Sequence, residues 1–324
     1  MPIQYENDKT HGDNMTYHDN KPLDVYMPLN YDRLLEGKTA LITSGAHGMG
    51  KYIAKTFVRH GATCVINGMN PAGEETAEEL RLDAPGSFFL RCDMSLKDDV
   101  KNFIAEVKKR AGRIDIIINN VGINRSEFSG AVTDENFDYT QQVNLHGAIR
   151  IVRGFLPQLK QTGGAMVHIS TIHSVLGMPP NTAYASSKSA INAFSGAIAA
   201  EYARYGIRSN VINPGGIFTG NRDTVLAEIG DNREALLEMG LHGDFGQPDY
   251  GSGSAYDIAN TALFLVSEMS RRVNGAVVNV DGGAVTIAHR FYNRKLPPES
   301  EEMWYKHMLT RFTPIEEAEL MYNK

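Results

Sequence analysis

From Lys38 onward, short apolar segments alternate with longer segments of helical periodicity, and this alternation limits the possible folds more than any other feature. The segments predicted as strands are 39–43, 62–67, 88–92, 114–119, 165–170, 209–213 and 276–280. The segments predicted as helices are 48–60, 73–83, 95–111, 135–160, 183–205 and 256–267. Strands that are apolar throughout are typical of parallel sheets buried on both faces. The sequence therefore predicts an α/β fold, with helices on both faces of a parallel seven-stranded sheet.

The two ends of the chain lack this alternation. Residues 1–36 are rich in polar side chains and are predicted to form an arm on the surface. Residues 288–324 contain Pro297-Pro298 and then an amphipathic segment, which is predicted to cover a neighbouring subunit or the active site, or to pack on its own domain. We therefore divide the chain into an arm (1–36), an α/β domain (37–287) and a tail (288–324).

Composition excludes several classes of function. The net charge is −6 and no basic stripe is visible, which argues against a nucleic-acid partner. No apolar run approaches the ~20 residues of a membrane helix, and the polar start of the chain does not resemble a signal peptide. The two cysteines, Cys64 and Cys92, lie in apolar segments and indicate a reducing compartment rather than a disulfide framework. The sequence predicts a cytoplasmic protein without a metal site.

A glycine-rich turn follows the first predicted strand and precedes a helix. Such a turn lets the backbone approach a pyrophosphate, and the helix N-terminus offers free N–H groups to it. The candidate cofactor-binding residues of this turn are Ser44, Gly45, His47, Gly48, Met49 and Gly50. A purely structural turn is the alternative, although the position after the first strand favours the dinucleotide.

The end of the second strand normally selects between the two nicotinamide cofactors, through an acid for the ribose 2′-hydroxyl or an Arg for a 2′-phosphate. Asn67, Gly68 and Met69 occupy this place and include neither. The lack of a basic side chain at Met69 favours NAD(H), but NADP(H) is not excluded.

Further candidates for cofactor binding follow the third and fourth strands. Asp93 and Met94 end the third strand, and Asp93 either accepts a bond from the adenine amine or caps a turn with Ser95. Asn120 and Gly122 follow the fourth strand, where asparagine is either a turn former or a neighbour of the cofactor crevice.

The pattern Tyr-x-x-x-Lys gives the candidate acid/base. It occurs three times, and only Tyr184 and Lys188 start an apolar-periodic helix after a predicted strand. Their spacing places both side chains on one helix face. A nearby ammonium is expected to lower the pKa of the Tyr184 phenol, so that it exchanges a proton with a substrate oxygen near neutral pH.

Two more polar positions complete the predicted catalytic set. A hydroxyl is needed to orient the reacting oxygen, and either Thr171 or its neighbour Ser170 can supply it at the end of the fifth strand. Asn144 lies inside a long predicted helix, where asparagine is unfavourable, so it marks either a local kink or part of a water chain.

These motifs, in this order and spacing from about Leu35 to Gly283, resemble the short-chain dehydrogenase/reductase family in its single-domain form. The resemblance implies a Rossmann-like, doubly wound sheet and a homo-oligomer, either a tetramer or a dimer. It implies that Tyr184 is the acid/base, Lys188 binds the cofactor ribose, Thr171 orients the carbonyl and Asn144 holds a relay water. It also places one further segment against the nicotinamide and makes residues 220–250 a substrate lid. The residues of that segment are Pro214, Gly215, Ile217 and Thr219.

The chain departs from the family pattern at several positions. Ser44 replaces the first glycine of the turn, Val121 replaces the usual alanine, and Thr171 replaces the catalytic serine. The small Ser44 is expected to be tolerated with a shifted turn, and the Thr171 methyl to reshape the pocket. The long arm and tail leave the usual quaternary arrangement open.

The predicted function is hydride transfer between a nicotinamide cofactor and a ketone or secondary alcohol. The apolar 220–250 segment makes a hydroxysteroid the leading candidate substrate, and the Asn67-Gly68 pair resembles sugar-acid dehydrogenases of the family, which makes sugar acids or polyols the next. A cofactor-binding sensor or scaffold without turnover is the alternative of another class, and the intact Tyr184, Lys188 and Asn144 argue against it. The spacing of Thr171 and Tyr184 disfavours an epimerase or enoyl reductase.

Overall fold

A computed structural model describes residues 29–177, 180–218 and 253–286. Thr219, the predicted lid (220–250) and the predicted tail (288–324) lie outside the described residues, as does all of the predicted arm before residue 29. The division of the chain into arm, domain and tail therefore stays a prediction.

Seven parallel strands form the central sheet, and the predicted Rossmann-like, doubly wound α/β fold is confirmed. The strands in chain order are β1 (Thr39–Ile42), β2 (Thr63–Gly68), β3 (Phe88–Arg91), β4 (Ile116–Asn119), β5 (Ala165–Ile169), β6 (Arg208–Pro214), β7 (Ile217–Phe218), β8 (Gly253–Ser254) and β9 (Val277–Val280). The spatial order is β3-β2-β1-β4-β5-β6-β9, while β7 and β8 pair separately. Strand order reverses between β1 and β4, which creates the crevice at the carboxyl edge where such sheets bind ligands.

Helices cover both faces of this sheet. They are α1 (Gly48–Arg59), α2 (Gly73–Arg81), α3 (Lys97–Ala111), α4 (Asp134–Gln141), α5 (Gly147–Thr162), α6 (Thr182–Tyr202) and α7 (Ala255–Val266). One apolar core packs α1, α2 and α7 against the sheet, and a second packs α3, α5 and α6 against its other face. Two layers of helices on a fully buried sheet explain why the strands are apolar at almost every position.

The structure refines one predicted helix and contradicts one predicted helix cap. The predicted helix 135–160 is three pieces, because a π-helical turn at Gln142–His146 separates α4 from α5. Ser95 does not cap α3, which starts at Lys97 after an extended Leu96. The hydroxyl of Ser95 instead donates a hydrogen bond to the Asp93 side chain, two residues earlier, and so does not cap the helix.

Cys64 and Cys92 are both buried and free. Burial raises the pKa of both thiols, that of Cys92 to about 12, so neither is ionised near neutral pH. Within the described ranges, no helix is both long enough and apolar enough to cross a membrane.

Candidate active site

The glycine turn packs so closely that side chains are excluded at two positions. A Cβ at Gly45 would lie 2.7 Å from Cγ2 of Ile66, and a Cβ at Gly50 would lie 2.3 Å from the carbonyl oxygen of Ser44. Gly48 has a φ of +54°, in the left-handed region that favours glycine. These positions keep the turn low over the end of β1, so that a ligand can approach its backbone.

Ser44 adopts the conformation of the glycine it replaces. Its φ is +52°, and among the described residues it is the only non-glycine residue with a positive φ. Its backbone N–H donates to Oδ1 of Asn67 over 2.8 Å, and the N–H of Gly45 donates to the Asn67 carbonyl over 2.9 Å. The predicted tolerance of Ser44 therefore depends on a buried asparagine that holds the strained turn.

The start of α1 fits a phosphate group. His47 precedes the helix in an extended conformation without a side-chain cap, and the first turn carries no acidic residue. Met49 is partly buried against the core beneath the turn. Uncapped N–H groups and the positive end of the helix dipole are what an anion requires. The predicted residues of the turn thus form a cradle that suits a dinucleotide.

The residues at the end of β2 have different roles from those expected. Asn67 is buried, and its amide contacts Ser44 and the Met94 sulfur, so its side chain does not reach toward the crevice. Gly68 packs under the glycine turn, while Met69 is half exposed. Arg91 of β3, which the sequence analysis did not consider, donates from Nε to the Met69 carbonyl over 3.2 Å.

Asp93 lies in a turn, and Met94 lies in the core. Oδ1 of Asp93 accepts hydrogen bonds from the N–H of Ser95 over 2.9 Å and from its hydroxyl over 2.7 Å, which is the turn-capping interpretation. The Met94 side chain is buried in the second apolar core. None of these contacts directs either side chain into the crevice.

Thr43 joins the turn to the segment after β4. Its hydroxyl accepts hydrogen bonds from the N–H groups of Asn120 and Val121 over 2.9 and 3.1 Å and donates to the Ile118 carbonyl. The Asn120 amide donates to the carbonyls of Thr43 and Ser44 over 3.1 Å each. Asn120 therefore fixes the two segments to each other, which explains its position beside the crevice.

Lys188 is the best defined group of the site. Its Nζ donates to the carbonyl oxygen of Ile169 over 2.8 Å and to that of Val121 over 3.2 Å. Burial lowers the pKa of Lys188 to about 8. A Cβ at Gly122 would lie 2.9 Å from this Nζ, so the glycine after β4 makes room for the ammonium.

Tyr184 faces Lys188 on the same side of α6, as predicted, with the Lys188 Nζ 6.0 Å from the centre of the phenol ring. The predicted lowering of its pKa is wrong for this geometry. Burial raises the pKa of Tyr184, and a hydrogen bond to the Thr171 side chain opposes that effect. The ammonium is held by two carbonyls instead of by the phenol, whereas removal of the phenol from water disfavours its ionised form.

The two candidate hydroxyls after β5 point to different partners. The Ser170 hydroxyl is buried and donates to the Lys188 carbonyl over 3.0 Å, so it fastens β5 to α6. The Thr171 side chain instead contacts Tyr184. The structure therefore brings Thr171, Tyr184 and Lys188 together at the carboxyl edge of β5.

Asn144 lies in the π-helical turn, where its amide makes three hydrogen bonds. It accepts from the N–H of Ile123 over 2.8 Å and donates to the Ile123 carbonyl and to the Ser187 hydroxyl over 3.0 Å each. Ser187 donates in turn to the Tyr184 carbonyl over 2.7 Å. Asn144 thus lies at a helix irregularity, as the first of its two alternatives predicted, and its side chain positions the start of α6. Its part in a water chain stays a prediction. Ser187 was missed, although it directly precedes Lys188.

The segment after β6 lies beside this cluster. Pro214 ends β6, and Gly215 donates to the Val280 carbonyl over 3.0 Å at a place where a Cβ would lie 2.8 Å from Cα of Asp281. Ile217 pairs with Gly253. Over the ranges described, no group of three acidic, histidine or cysteine side chains has the arrangement of a metal site.

Comparison with known proteins agrees with this geometry. The family described as enoyl-(acyl carrier protein) reductase matches residues 45–285. L-fucose dehydrogenase of Bos taurus is 30% identical over 265 residues, which cover 82% of this chain and 95% of that protein. The 3-oxoacyl-(acyl-carrier-protein) reductase of Thermotoga maritima is 31% identical over 255 residues, 78% of this chain and 99% of the relative.

One solved structure is also similar to this chain. A putative gluconate dehydrogenase from Agrobacterium tumefaciens is 27% identical and superimposes with a TM-score of 0.71 over 79% of this chain and 98% of its own. The family binds NAD(P), and its named members act on CH–OH groups. From the fold, the motifs and these relatives together, the chain belongs to the short-chain dehydrogenase/reductase family and is an oxidoreductase.

Proposed function

We propose that this enzyme interconverts a ketone and a secondary alcohol, or a sugar lactone and its hemiacetal, on a small polyhydroxylated substrate of the sugar or sugar-acid type. The observation that carries the proposal is the convergence of Thr171, Tyr184 and Lys188 at the carboxyl edge of β5. The glycine turn lies at the same edge of the sheet, one strand away across β4.

Each side chain of the cluster has a separate task. The bound nicotinamide supplies or accepts the hydride. In reduction, the carbonyl carbon gains the hydride, the C=O double bond becomes a single bond, and Tyr184 donates its hydroxyl proton to the oxygen. Thr171 donates a hydrogen bond to that oxygen as its negative charge develops. Solvent then returns a proton to Tyr184, and oxidation follows the reverse path.

Lys188 and Asn144 hold this arrangement in place. The two carbonyl contacts fix Lys188 as a buried cation, with its Nζ 6.0 Å from the centre of the Tyr184 ring. We propose that the same cation binds the cofactor ribose. Asn144, through Ser187, fixes the first turn of α6 and with it the backbone of Tyr184.

The substrate class rests on the site and on the names of the relatives. An L-fucose dehydrogenase and a putative gluconate dehydrogenase are among the proteins most similar to this chain, and both names denote sugar-type substrates. The hydroxysteroid alternative depends on the apolar side chains of 220–250, which are outside the described residues, and it stays a prediction. A 3-oxoacyl thioester is a further candidate because of the Thermotoga maritima relative.

The test is a turnover assay with purified protein. L-fucose, gluconate, a hydroxysteroid and a 3-oxoacyl thioester are offered with each cofactor, and products are identified as well as cofactor conversion. The proposal expects the highest kcat/KM on a sugar-type substrate. A preference for the steroid or the thioester contradicts the substrate class. Tight cofactor binding without any turnover contradicts the enzymatic function and favours the sensor.

The cofactor preference is proposed to be NAD(H), with NADP(H) used less well. Met69 offers no charge to a 2′-phosphate, and Arg91 is engaged at the Met69 carbonyl through Nε. Dissociation constants of NADH and NADPH, measured by fluorescence for the parent and for Arg91→Ala, decide the matter. Tighter binding of NADPH that is lost in Arg91→Ala contradicts the preference and identifies Arg91 as the phosphate ligand.

We further propose a cytoplasmic homo-oligomer, a tetramer or a dimer. Two buried free thiols support a reducing compartment. β9 is an edge strand, and Val277 on it and Met269 nearby are each more than 40% exposed, which suits a subunit contact. Light scattering after size-exclusion chromatography measures the state, and a monomer at micromolar concentration contradicts it.

A further inference from the structure

The position of Lys188 is set by two chain segments rather than by one. Its Nζ donates to the Ile169 carbonyl on β5 over 2.8 Å and to the Val121 carbonyl over 3.2 Å. Val121 lies two residues beyond the end of β4, and the last backbone pair between the two strands is Asn119 with His168. The place of the ammonium therefore depends on how the two segments are held together at this last pair.

The side chains of that last pair are joined to each other. Nδ1 of His168 lies 3.0 Å from Nδ2 of Asn119, within hydrogen-bond distance. In the described part of the chain, Oδ1 of Asn119 has no hydrogen-bond partner, so the contact with the imidazole is the bond that orients this amide. His168 is 0% and Asn119 3% exposed. Loss of the bond would leave the remaining partner unpaired away from water, which is costly.

The second ring nitrogen connects His168 to the helix of Lys188. Nε2 lies 3.2 Å from Oγ of Ser209 on β6, and that hydroxyl lies 2.8 Å from Oγ of Ser195 on α6. Ser195 follows Lys188 by about two helical turns, and both side chains are buried. The Phe194 ring packs edge-to-face on the imidazole, with centroids 5.7 Å apart. One imidazole thus links β5, on which it lies, to β4, β6 and α6.

The imidazole is neutral in this position. Burial, together with the charge of Lys188, lowers the pKa of His168 to about 3. A neutral imidazole has one donor and one acceptor nitrogen, and both are used here. The ring therefore connects Asn119 and Ser209 without adding a second buried cation beside Lys188.

We propose that His168 is a positioning residue for Lys188, because its ring holds the ends of β4 and β5 at the spacing that brings both carbonyl oxygens to the ammonium. This inference rests on the proposed function, in which Lys188 binds the cofactor ribose. It gives a role in cofactor binding and turnover to a side chain that is completely buried behind the site. Without the ring, the segment after β4 can move and the ammonium loses part of its support.

The test is a double-mutant cycle between His168 and Lys188, measured as the dissociation constant of NADH by fluorescence titration. Its four proteins are the parent, His168→Leu, which deletes both ring contacts, Lys188→Met, which removes the ammonium, and the double variant. His168→Asn is the rescue variant, because its amide can replace Nδ1 at Asn119. Val107→Ala is the stability control, since Val107 is 0% exposed in the second apolar core but lies on α3.

We expect His168→Leu to raise the NADH dissociation constant about 10-fold in the parent and less than about twofold in Lys188→Met. In the parent background, kcat on the best substrate should also fall about 10-fold. His168→Asn should recover most of both losses. Val107→Ala should bind NADH like the parent although its free energy of unfolding is lower. Equal increases in the two backgrounds would show that the ring acts on the fold as a whole and would overturn the inference, as would unchanged affinity in His168→Leu.

A second variant covers the case in which His168→Leu does not fold. Asn119→Ala breaks the same contact from β4 and takes its place in the cycle, with the same two outcomes. Cofactor binding is measured without turnover, so an inactive parent refutes only the proposed function, and additive effects refute only the role of His168. Parent-like affinity in Lys188→Met would refute the ribose contact and this inference with it.

Discussion

The glycine turn between β1 and α1 and the cluster between β5 and α6 lie at the same edge of the sheet but are built from different groups. The turn depends on missing side chains, since a Cβ at Gly50 would lie 2.3 Å from a carbonyl oxygen. The cluster depends on side chains that bind the backbone, above all Lys188 with its two carbonyl partners. The turn should therefore be damaged by added atoms, and the cluster by removed ones.

This contrast also separates binding from chemistry. The turn offers backbone N–H groups to a cofactor, and its substitution should change cofactor affinity. In the proposed reaction the cluster offers the Thr171 hydroxyl and the Tyr184 phenol to the reacting oxygen, and substitution of either should change turnover with cofactor affinity largely retained.

The largest effect is expected from Tyr184→Phe. Loss of the phenol oxygen removes the proton donor, and kcat should fall by about 10³-fold or more. The NADH dissociation constant, measured by fluorescence titration, should change less than about threefold. Turnover within tenfold of the parent on the best substrate would refute Tyr184 as the acid/base.

Thr171→Ala is expected to have the next largest effect. It removes the hydroxyl that orients the reacting oxygen, and kcat should fall about 10²-fold. Thr171→Ser is the matched control, because it keeps the hydroxyl and loses only the methyl, and it should retain most of the activity. If Ser170 performs this task instead, Thr171→Ala will remain active and the assignment fails.

Gly50→Ala tests the other region. The added Cβ would overlap the Ser44 carbonyl and Nδ2 of Asn120, 2.7 Å away, so the turn must shift. Cofactor affinity should weaken about 10-fold or more, and the free energy of unfolding should fall by about 1–3 kcal/mol. Gly196→Ala is the control: it lies in α6 with nothing within 4 Å of its added Cβ, and it should stabilise the helix by about 0.5–1 kcal/mol. Unchanged cofactor affinity in Gly50→Ala would contradict the steric account of the turn.

The last effect is absent near neutral pH and concerns a buried histidine of the catalytic half. His168 on β5 bonds Asn119 over 3.0 Å and Ser209 over 3.2 Å, and burial, with the nearby charge of Lys188, lowers its pKa to about 3. The unfolded chain takes up a proton near pH 6.5, whereas the folded chain does not until about pH 3. Stability is therefore full above about pH 6.5 and is lost as the pH falls, by at most about 1.4 kcal/mol per unit.

His168→Asn removes this titration and keeps hydrogen-bonding groups. Chemical unfolding from pH 7 to pH 4 should show a shallower loss of stability in His168→Asn than in the parent. Parallel pH dependences in the two proteins would mean that the pKa of His168 is not lowered in the folded state.

The sequence predicted the sheet, and it predicted that Tyr184 and Lys188 lie on one side of a helix, because both follow from local patterns. Apolar segments separated by helical periodicity define the strands, and Tyr184 and Lys188 face one side of a helix by spacing alone. The predictions that failed depend on contacts between distant segments. Asn67 binds Ser44 across 23 positions, and Asn144 binds Ser187 across 43, and neither pairing has a local signature.

Electrostatics was the least predictable property. Proximity of an ammonium suggested a lowered pKa for Tyr184, but the sign depends on what else Lys188 contacts and on how far the phenol is removed from water. Burial can be inferred for whole segments from periodicity, whereas the exposure of one ring within a segment requires coordinates. For the same reason, His173 was not recognised as a neighbour of Tyr184.

The amide of Asn67 has a consequence for anyone who wishes to redirect the enzyme between the two cofactors. Placing a charged residue at the end of the second strand is the obvious engineering route, but here that residue is 1% exposed and holds the N–H of Ser44. An aspartate there would put a charge under a strained turn, with stability lost in exchange for selectivity. Met69 is half exposed, Arg91 is exposed, and neither side chain holds the N–H of Ser44. Redesign of cofactor choice should therefore begin with those two positions.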